Sequence, residues 1–247
     1  DHDSSRASPA HEASIVEDMA WLGFKADAGF TGAAQDAFRQ SSHPERYEAA
    51  LGRLREKGWA YACACSRAQI AARLAARGVA MNDLAYDGHC EPLGLPHQPG
   101  HTGLRVALPN QPLHWQEAGG GPDHAVRYPH LLLVNREGDY TYNLCVVVDD
   151  MADNITHVIR GQDLAASTGP QVALARLLGR TQPPAFFHHP LLLCPATGRK
   201  LSKREASEGI GMARRAGQGP EATLGRAAQA TGLWPTGAPL ALESALA

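Results

Sequence analysis

Tyr142-Asn143-Leu144-Cys145-Val146-Val147-Val148-Asp149-Asp150, followed by Ile155-Thr156-His157-Val158-Ile159-Arg160, is the stretch on which the fold turns. Both runs are apolar at successive positions. A strand with one face in water alternates, whereas a strand covered on both faces does not. Val146, Val147 and Val148 are β-branched, as strands prefer, and Asp149-Asp150 ends the run sharply. These features predict buried, parallel-type strands over 144–148 and Ile155–Ile159. Residues 130–134 form a similar apolar run. A helix is expected from Gly169 to Leu178, stopped by Gly179, and a fourth strand from Phe186 to Leu193. The strand–helix–strand order predicts an open α/β sheet whose ligands lie at the carboxyl ends of its strands.

The preceding half is punctuated by caps. Ser8 and Pro9 open a helix through Leu22, and Gly23 stops it. Ser42-x-x-Glu45 reads as a capping box for a second helix with Tyr47, Leu51 and Leu54 on one face. A short strand is expected over Ala60–Ala64. Ser66 then caps an Ala/Arg/Leu helix to Arg77, closed by Gly78. Residues 91–125 carry six prolines and Gly119–Gly121, which break any long element, with one strand over Leu104–Leu108. They read as a loop-rich inserted subdomain. After Arg204 the chain is Ala- and Gly-rich and weakly helical.

The 247 residues are 44% hydrophobic, enough for one large domain or two small ones with a real core. The net charge of −2 excludes a generally cationic nucleic-acid binder, so any such contact rests on local patches. No apolar run reaches the roughly 18 residues of a membrane helix. The five cysteines are an odd number, with three clustered and Cys145 and Cys194 each alone in an apolar run. That pattern argues for a reducing, cytoplasmic setting and against a disulfide framework. The opening Asp1-His2-Asp3 reads as the polar exit of a strand, so the chain is expected to begin inside a larger fold.

Three groups of residues can carry chemistry. Cys63, Cys65 and Cys90 place three thiolates around a Gly turn, suited to a structural tetrahedral zinc site; the fourth ligand is Tyr86 or His89, and general ligand chemistry favours the imidazole. Tyr142, Asn143 and Arg160 stand at the ends of the two apolar runs. Arg160 there either grips a carboxylate ligand through two hydrogen bonds or pairs with Asp149, Asp150 or Asp163. Lys200-Leu201-Ser202-Lys203-Arg204 presents ammonium groups and a guanidinium to a polyphosphate, where Lys203 stabilises charge on a leaving pyrophosphate. His188 and His189 read as core or cleft-edge histidines.

Together these motifs resemble class I aminoacyl-tRNA synthetases of the glutamyl type. Lys200–Arg204 resembles that family's Lys-Met-Ser-Lys-Ser loop, with Leu for Met and Arg for the last Ser. The 142–150 and 155–164 segments follow the glutamyl pattern. The C-x-C…Y-x-x-x-C spacing of Cys63, Cys65, Tyr86 and Cys90 is similar to the truncated glutamyl-Q branch, and that resemblance selects Tyr86 over His89.

The resemblance implies a Rossmann-like open parallel sheet lacking its first strand, with an inserted zinc-binding α+β subdomain. The expected division is 1–58 and 129–194 for the two sheet halves, 59–128 for the insertion, and 195–247 for the signature loop and helical tail. It implies glutamate activation with ATP and Mg2+, then transfer to queuosine in the anticodon loop of tRNA(Asp). Tyr142, Asn143 and Arg160 would hold glutamate, and Lys200–Arg204, with Lys200 and Lys203 catalytic, would hold ATP. One structural zinc, a monomeric state and no membrane association are expected. The family's N-terminal half-strand, its His-Ile-Gly-His-type signature and the Glu before Asp1 do not occur here, so residues 1–247 alone are expected to have little activity. The competing readings are a piece of a tRNA(Glu)-charging synthetase, a zinc-stabilised RNA-binding module without catalysis, and a nucleotidyltransferase acting on another acid.

Overall fold

The structure, a computed structural model, describes residues 8–25, 38–109, 111–118, 128–193, 198 and 209–245. Among these residues the strands form two sheets. β1 (Ala60–Cys63), β2 (Gly103–Ala107) and β3 (His130–Val134) lie side by side in that order, antiparallel throughout. β4 (His157–Gly161) and β5 (Ala185–His189) pair in parallel, with Arg160 opposite His188. The architecture is mixed α/β. The parallel expectation holds for β4 and β5, whereas β3 is a strand that pairs antiparallel with β2.

The largest departure from the expected elements falls on 144–148, which is helix. α4 is the fourth of eight helices among the described residues and spans Tyr142–Ala152. Its buried residues are Leu144, Cys145, Val147 and Val148, a spacing that fits 3.6 residues per turn. An apolar run does not by itself separate a strand covered on both faces from a core helix. The neighbours decide: α4 packs against α2 (Pro44–Glu56), β3 and α5 (Ala165–Leu177). β-Branched preference spans only about 1 kcal/mol per residue, less than the burial gained. Asn154 then takes a left-handed conformation at φ 55, and the chain turns into β4.

Local signals place the other ends. Ser8 caps α1 (Pro9–Trp21), accepting from the His11 amide at 3.3 Å. Ser66 and Gln69 form a reciprocal capping box on α3 (Arg67–Ala76). The box expected at Ser42 does not form, because Ser42 lies in a 3-10 turn and α2 starts at Pro44. Proline lacks an N–H and has a preset φ, which suits the first helical position. β4 runs two residues later than expected, and β5 stops at His189 because Pro190 cannot donate to a ladder. α5 starts at Ala165, before the expected Gly169, and carries Pro170 inside it. Every residue from Ser167 to Ala175 is buried, and that burial outweighs the lost hydrogen bond. The tail supplies α6 (Ile210–Arg215), α7 (Pro220–Ala230) and α8 (Leu242–Ala245).

One core cluster joins α2, β2, β3, α4 and α5 through residues such as Tyr47, Leu51, Leu54, Leu133, Leu144 and Leu174. Each such side chain contributes about 1.5–3 kcal/mol on full burial. A second, smaller cluster collects Cys63, Ile70, Leu74, Ala85, Tyr86 and Cys90 between β1 and α3. The first cluster's polar edge is ordered by Asp149, whose carboxylate accepts from the Tyr47 hydroxyl and the Gln40 amide, each at 2.8 Å.

Half-buried Asp150 beside it is not so well served. Burial, opposed in part by Arg180 and reinforced by Asp149, raises its carboxyl to about 6. A raised carboxyl binds its proton more tightly when folded. Its contribution to stability is therefore complete below the unfolded value and lost as pH rises through 6. Asp150→Asn is expected to stabilise the protein at pH 8 by about 1 kcal/mol, allowing for solvent screening. The gain should shrink as pH falls from 6 towards 4, and denaturant titrations of parent and variant across that range measure it.

Candidate active site and metal centre

The carboxyl ends of β4 and β5 carry the first site. Their parallel register sets Arg160 beside His188, on the face reached by α5. Arg160 is buried, at 8% exposure. Its guanidinium donates to Gln171 Oε1 at 2.7 Å, to Thr168 Oγ1 at 2.8 Å and to His188 Nε2 at 3.2 Å. Thr168 and Gln171 are three residues apart on α5 and share one helix face. The Gln171 amide donates to Asn143 Oδ1 at 2.8 Å, which links the first turn of α4 to the same network. On the other side His188 Nδ1 lies 3.0 Å from a Glu117 oxygen. His188 Nε2 accepts from Arg160, so Nδ1 carries the proton donated to Glu117. The Phe186 ring lies under the guanidinium, 5.1 Å from centroid to Cζ, and stacks against His188.

Arg160 forms no ion pair with a carboxylate among the described residues; each of its polar partners is neutral. No direct ion pair with Asp149, Asp150 or Asp163 is formed among the described residues, although Asp150 lies near enough for the Arg160 charge to favour its ionised form. A buried cation held only by neutral acceptors keeps a strong affinity for an anion. Of the three residues expected here, Arg160 and Asn143 belong to one network. Tyr142 stands at the first position of α4, 51% exposed, and its side chain is not among the hydrogen-bonded groups of that network. It opens a helix rather than the strand expected of it. His188 is the satisfied histidine that its apolar surroundings suggested. Thr168, Gln171 and Glu117 lie outside the sequence expectations; Thr168 and Gln171 at i and i+3 in a largely apolar helix are a readable signal. Lys200, Leu201, Ser202, Lys203 and Arg204 lie outside the described residues, as does Cys194.

The second site lies at the end of β1. Cys63 is on the strand and Cys65 just beyond it, immediately before the Ser66 cap. The Asn82 side chain accepts from the Leu84 and Ala85 amides, each at 2.9 Å, and this turn directs Tyr86 inward. Gly88 then adopts φ +76, and a Cβ there would meet His130 Nε2 at 2.5 Å, so the turn that returns Cys90 to the cluster requires glycine. The three sulfurs lie within 4.8 Å of one another. Cys65 and Cys90 sulfurs are 3.4 Å apart, and Tyr86 Oη is 3.3 Å from Cys63 and 3.5 Å from Cys65. Thiolates around zinc at about 2.3 Å stand slightly under 4 Å apart, so these donors fit a tetrahedral ion. His89 is exposed, whereas Tyr86 is buried against the sulfurs. Arg105 Cζ sits 3.9 Å from the centroid of the Tyr86 ring, and its Nε is buried without a partner. Burial alone would raise the Cys90 thiol; the Tyr86 hydroxyl, the Ala64 backbone and the neighbouring sulfurs more than offset it, and Cys90 ionises below its usual range. The described cysteines are free thiols.

A parallel β–α–β unit with a polar cluster at its strand ends is the building unit of open α/β folds. Residues 1–232 match the catalytic domain of the class I tRNA synthetases (E and Q), and the chain belongs to that family of ligases. It is 37% identical to the glutamyl-Q tRNA(Asp) synthetase of Symbiobacterium thermophilum, covering 94% of this chain and 75% of that protein. The protein of the same name from Rhodobacter capsulatus is 34% identical, over 89% of this chain and 82% of that one. The glutamate–tRNA ligase of Verminephrobacter eiseniae is 35% identical over 91% of this chain, which spans only 47% of that protein. A solved glutamate tRNA ligase from Elizabethkingia meningosepticum shares the fold, with a TM-score of 0.71 at 24% identity, over 92% of this chain and 52% of that one. Among the described residues no helix is long and apolar enough to cross a membrane.

Proposed function

We propose that this protein activates glutamate with ATP and transfers it to the queuosine base in the anticodon loop of tRNA(Asp), as a cytoplasmic tRNA-modifying enzyme that acts as a monomer. One observation carries the reading: the buried Arg160 guanidinium at the carboxyl end of β4 hydrogen-bonds only to neutral side chains and is in direct contact with no carboxylate among the described residues. Glutamate has two carboxylates. The α-carboxylate must stay free to attack the α-phosphate of ATP, so Arg160 serves the side-chain carboxylate. Asn143 supports it through Gln171, and Tyr142, exposed at the start of α4, is the third glutamate contact of the reading. Pyrophosphate leaves from ATP; Lys200, Leu201, Ser202, Lys203 and Arg204 would hold its phosphates, with Lys203 and Lys200 meeting the growing charge, and Mg2+ bound with ATP would supply further neutralisation. A hydroxyl of queuosine then attacks the activated carbonyl and AMP departs. Cys63, Cys65, Tyr86 and Cys90 hold one structural zinc that supplies rigidity, not chemistry. The names of the Symbiobacterium thermophilum and Rhodobacter capsulatus relatives support tRNA(Asp) as acceptor, and free thiols suit a reducing compartment.

The test uses the purified full-length protein. Glutamate-dependent ATP–pyrophosphate exchange is expected, and Lys203→Ala should lower it about 10²–10³-fold. Labelled glutamate should enter tRNA(Asp) that carries queuosine, in the anticodon-loop fragment. Label at the 3′ end of tRNA(Glu) would identify a charging synthetase instead. RNA binding without any exchange would identify a non-catalytic module.

A further inference from the structure

Among the described residues outside the four proposed zinc donors, Arg73 hydrogen-bonds directly to a cysteine sulfur of the cluster. Arg73, on α3, donates from one terminal nitrogen to Cys65 Sγ at 3.2 Å. The same guanidinium grips Asp87 through Nε at 2.7 Å and the terminal nitrogen at 3.1 Å. The Asp87 side chain is 2% exposed and immediately follows Tyr86 in the chain. A bidentate carboxylate removes the guanidinium's freedom to rotate, so the N–H that meets the sulfur is held in one direction. The capping box starts α3 directly after Cys65, and two turns of helix return Arg73 to that sulfur. Three thiolates around a divalent ion leave an excess of negative charge, and the Asp87 carboxylate adds to it. Arg73 is the cation that reaches both.

We propose that Arg73, locked by Asp87, is a positioning residue for the metal centre: it fixes the Cys65 sulfur and withdraws charge from it, and so governs how tightly the ion is held. This rests on the reading that the cysteine cluster holds zinc. Residues that hydrogen-bond to metal ligands typically change metal affinity about 10–100-fold when lost. A plain strut between α3 and the 82–90 turn would leave the sulfur's electronic state untouched, and that difference is measurable.

Zinc release from the full-length protein to a colorimetric chelator is measured for the parent, Arg73→Met and Asp87→Asn. Release should accelerate about 10–100-fold for Arg73→Met and by a smaller factor for Asp87→Asn. In the cobalt-substituted protein, loss of an N–H to sulfur raises the sulfur lone pair, so the sulfur-to-cobalt charge-transfer band should move to longer wavelength in Arg73→Met. Release within twofold of the parent, with the cobalt band unmoved, would overturn the proposal and leave Arg73 a strut. If Arg73→Met does not fold, Arg73→Lys is read in the same way: one ammonium cannot serve Asp87 and Cys65 in the same geometry, so intermediate release and a shifted band support the proposal, and parent-like values overturn it. A parent that binds neither zinc nor cobalt refutes the metal reading itself, an outcome distinct from a metal that is bound but indifferent to Arg73.

Discussion

Arg160→Ala in the full-length enzyme is expected to lower kcat/KM for glutamate in ATP–pyrophosphate exchange about 10²–10⁴-fold. A buried, charge-assisted pair to a carboxylate lost at one partner costs about 3–5 kcal/mol, because the remaining charge is stranded. The direction follows from the partners in hand: Gln171, Thr168 and His188 aim the guanidinium but do not neutralise it. Arg160→Lys should recover only part of the loss, since an ammonium keeps the charge and loses the planar fork. Gln171→Ala should act in the same direction more weakly, by freeing both Arg160 and Asn143. KM for ATP should move little in all three. An unchanged KM for glutamate in Arg160→Ala, with circular dichroism showing a folded protein, would remove the glutamate reading of this site.

Cys90→Ser is expected to abolish stoichiometric zinc and to destabilise the small core between β1 and α3. An ion present at about 1,000 times its Kd stabilises the state that binds it by about 4 kcal/mol. That energy acts locally, on the cluster of Ile70, Leu74, Ala85 and Tyr86. Hydrogen exchange should speed up in β1, α3 and residues 82–93 while α4 and α5 keep their protection, because their burial lies in the other core cluster. Chelation of the parent protein should reproduce the pattern. Metal analysis giving one zinc per chain in Cys90→Ser would exclude Cys90 as a ligand.

Much of the candidate metal site was legible because its parts are close in sequence. Two cysteines separated by one residue, and a Tyr and a Cys four apart around a Gly turn, have few ways to avoid one another. The strand-end site was legible in part. Arg160 stood out as a charge closing an apolar run, but its partners did not, since Thr168 and Gln171 belong to a helix whose facing direction is set by packing. Glu117 lies 71 residues from His188 and had no local signal. The 142–152 segment is buried, as its apolar run predicts, but helical where a strand was expected.

The amino-acid order by itself determined what acts over one or two turns: the Ser8 and Ser66 caps, the proline start of α2, the glycine turn at 88 and the gathering of thiols around it. These depend on backbone sterics and hydrogen bonds within a few residues, which no distant contact needs to complete. Only the tertiary structure decided that an apolar run of valines is a helix, that β3 pairs antiparallel, and that Arg160 faces amide, hydroxyl and imidazole groups with no carboxylate among them. Apolar burial has no direction, and the effect of a charge depends on which chain segments fold against it.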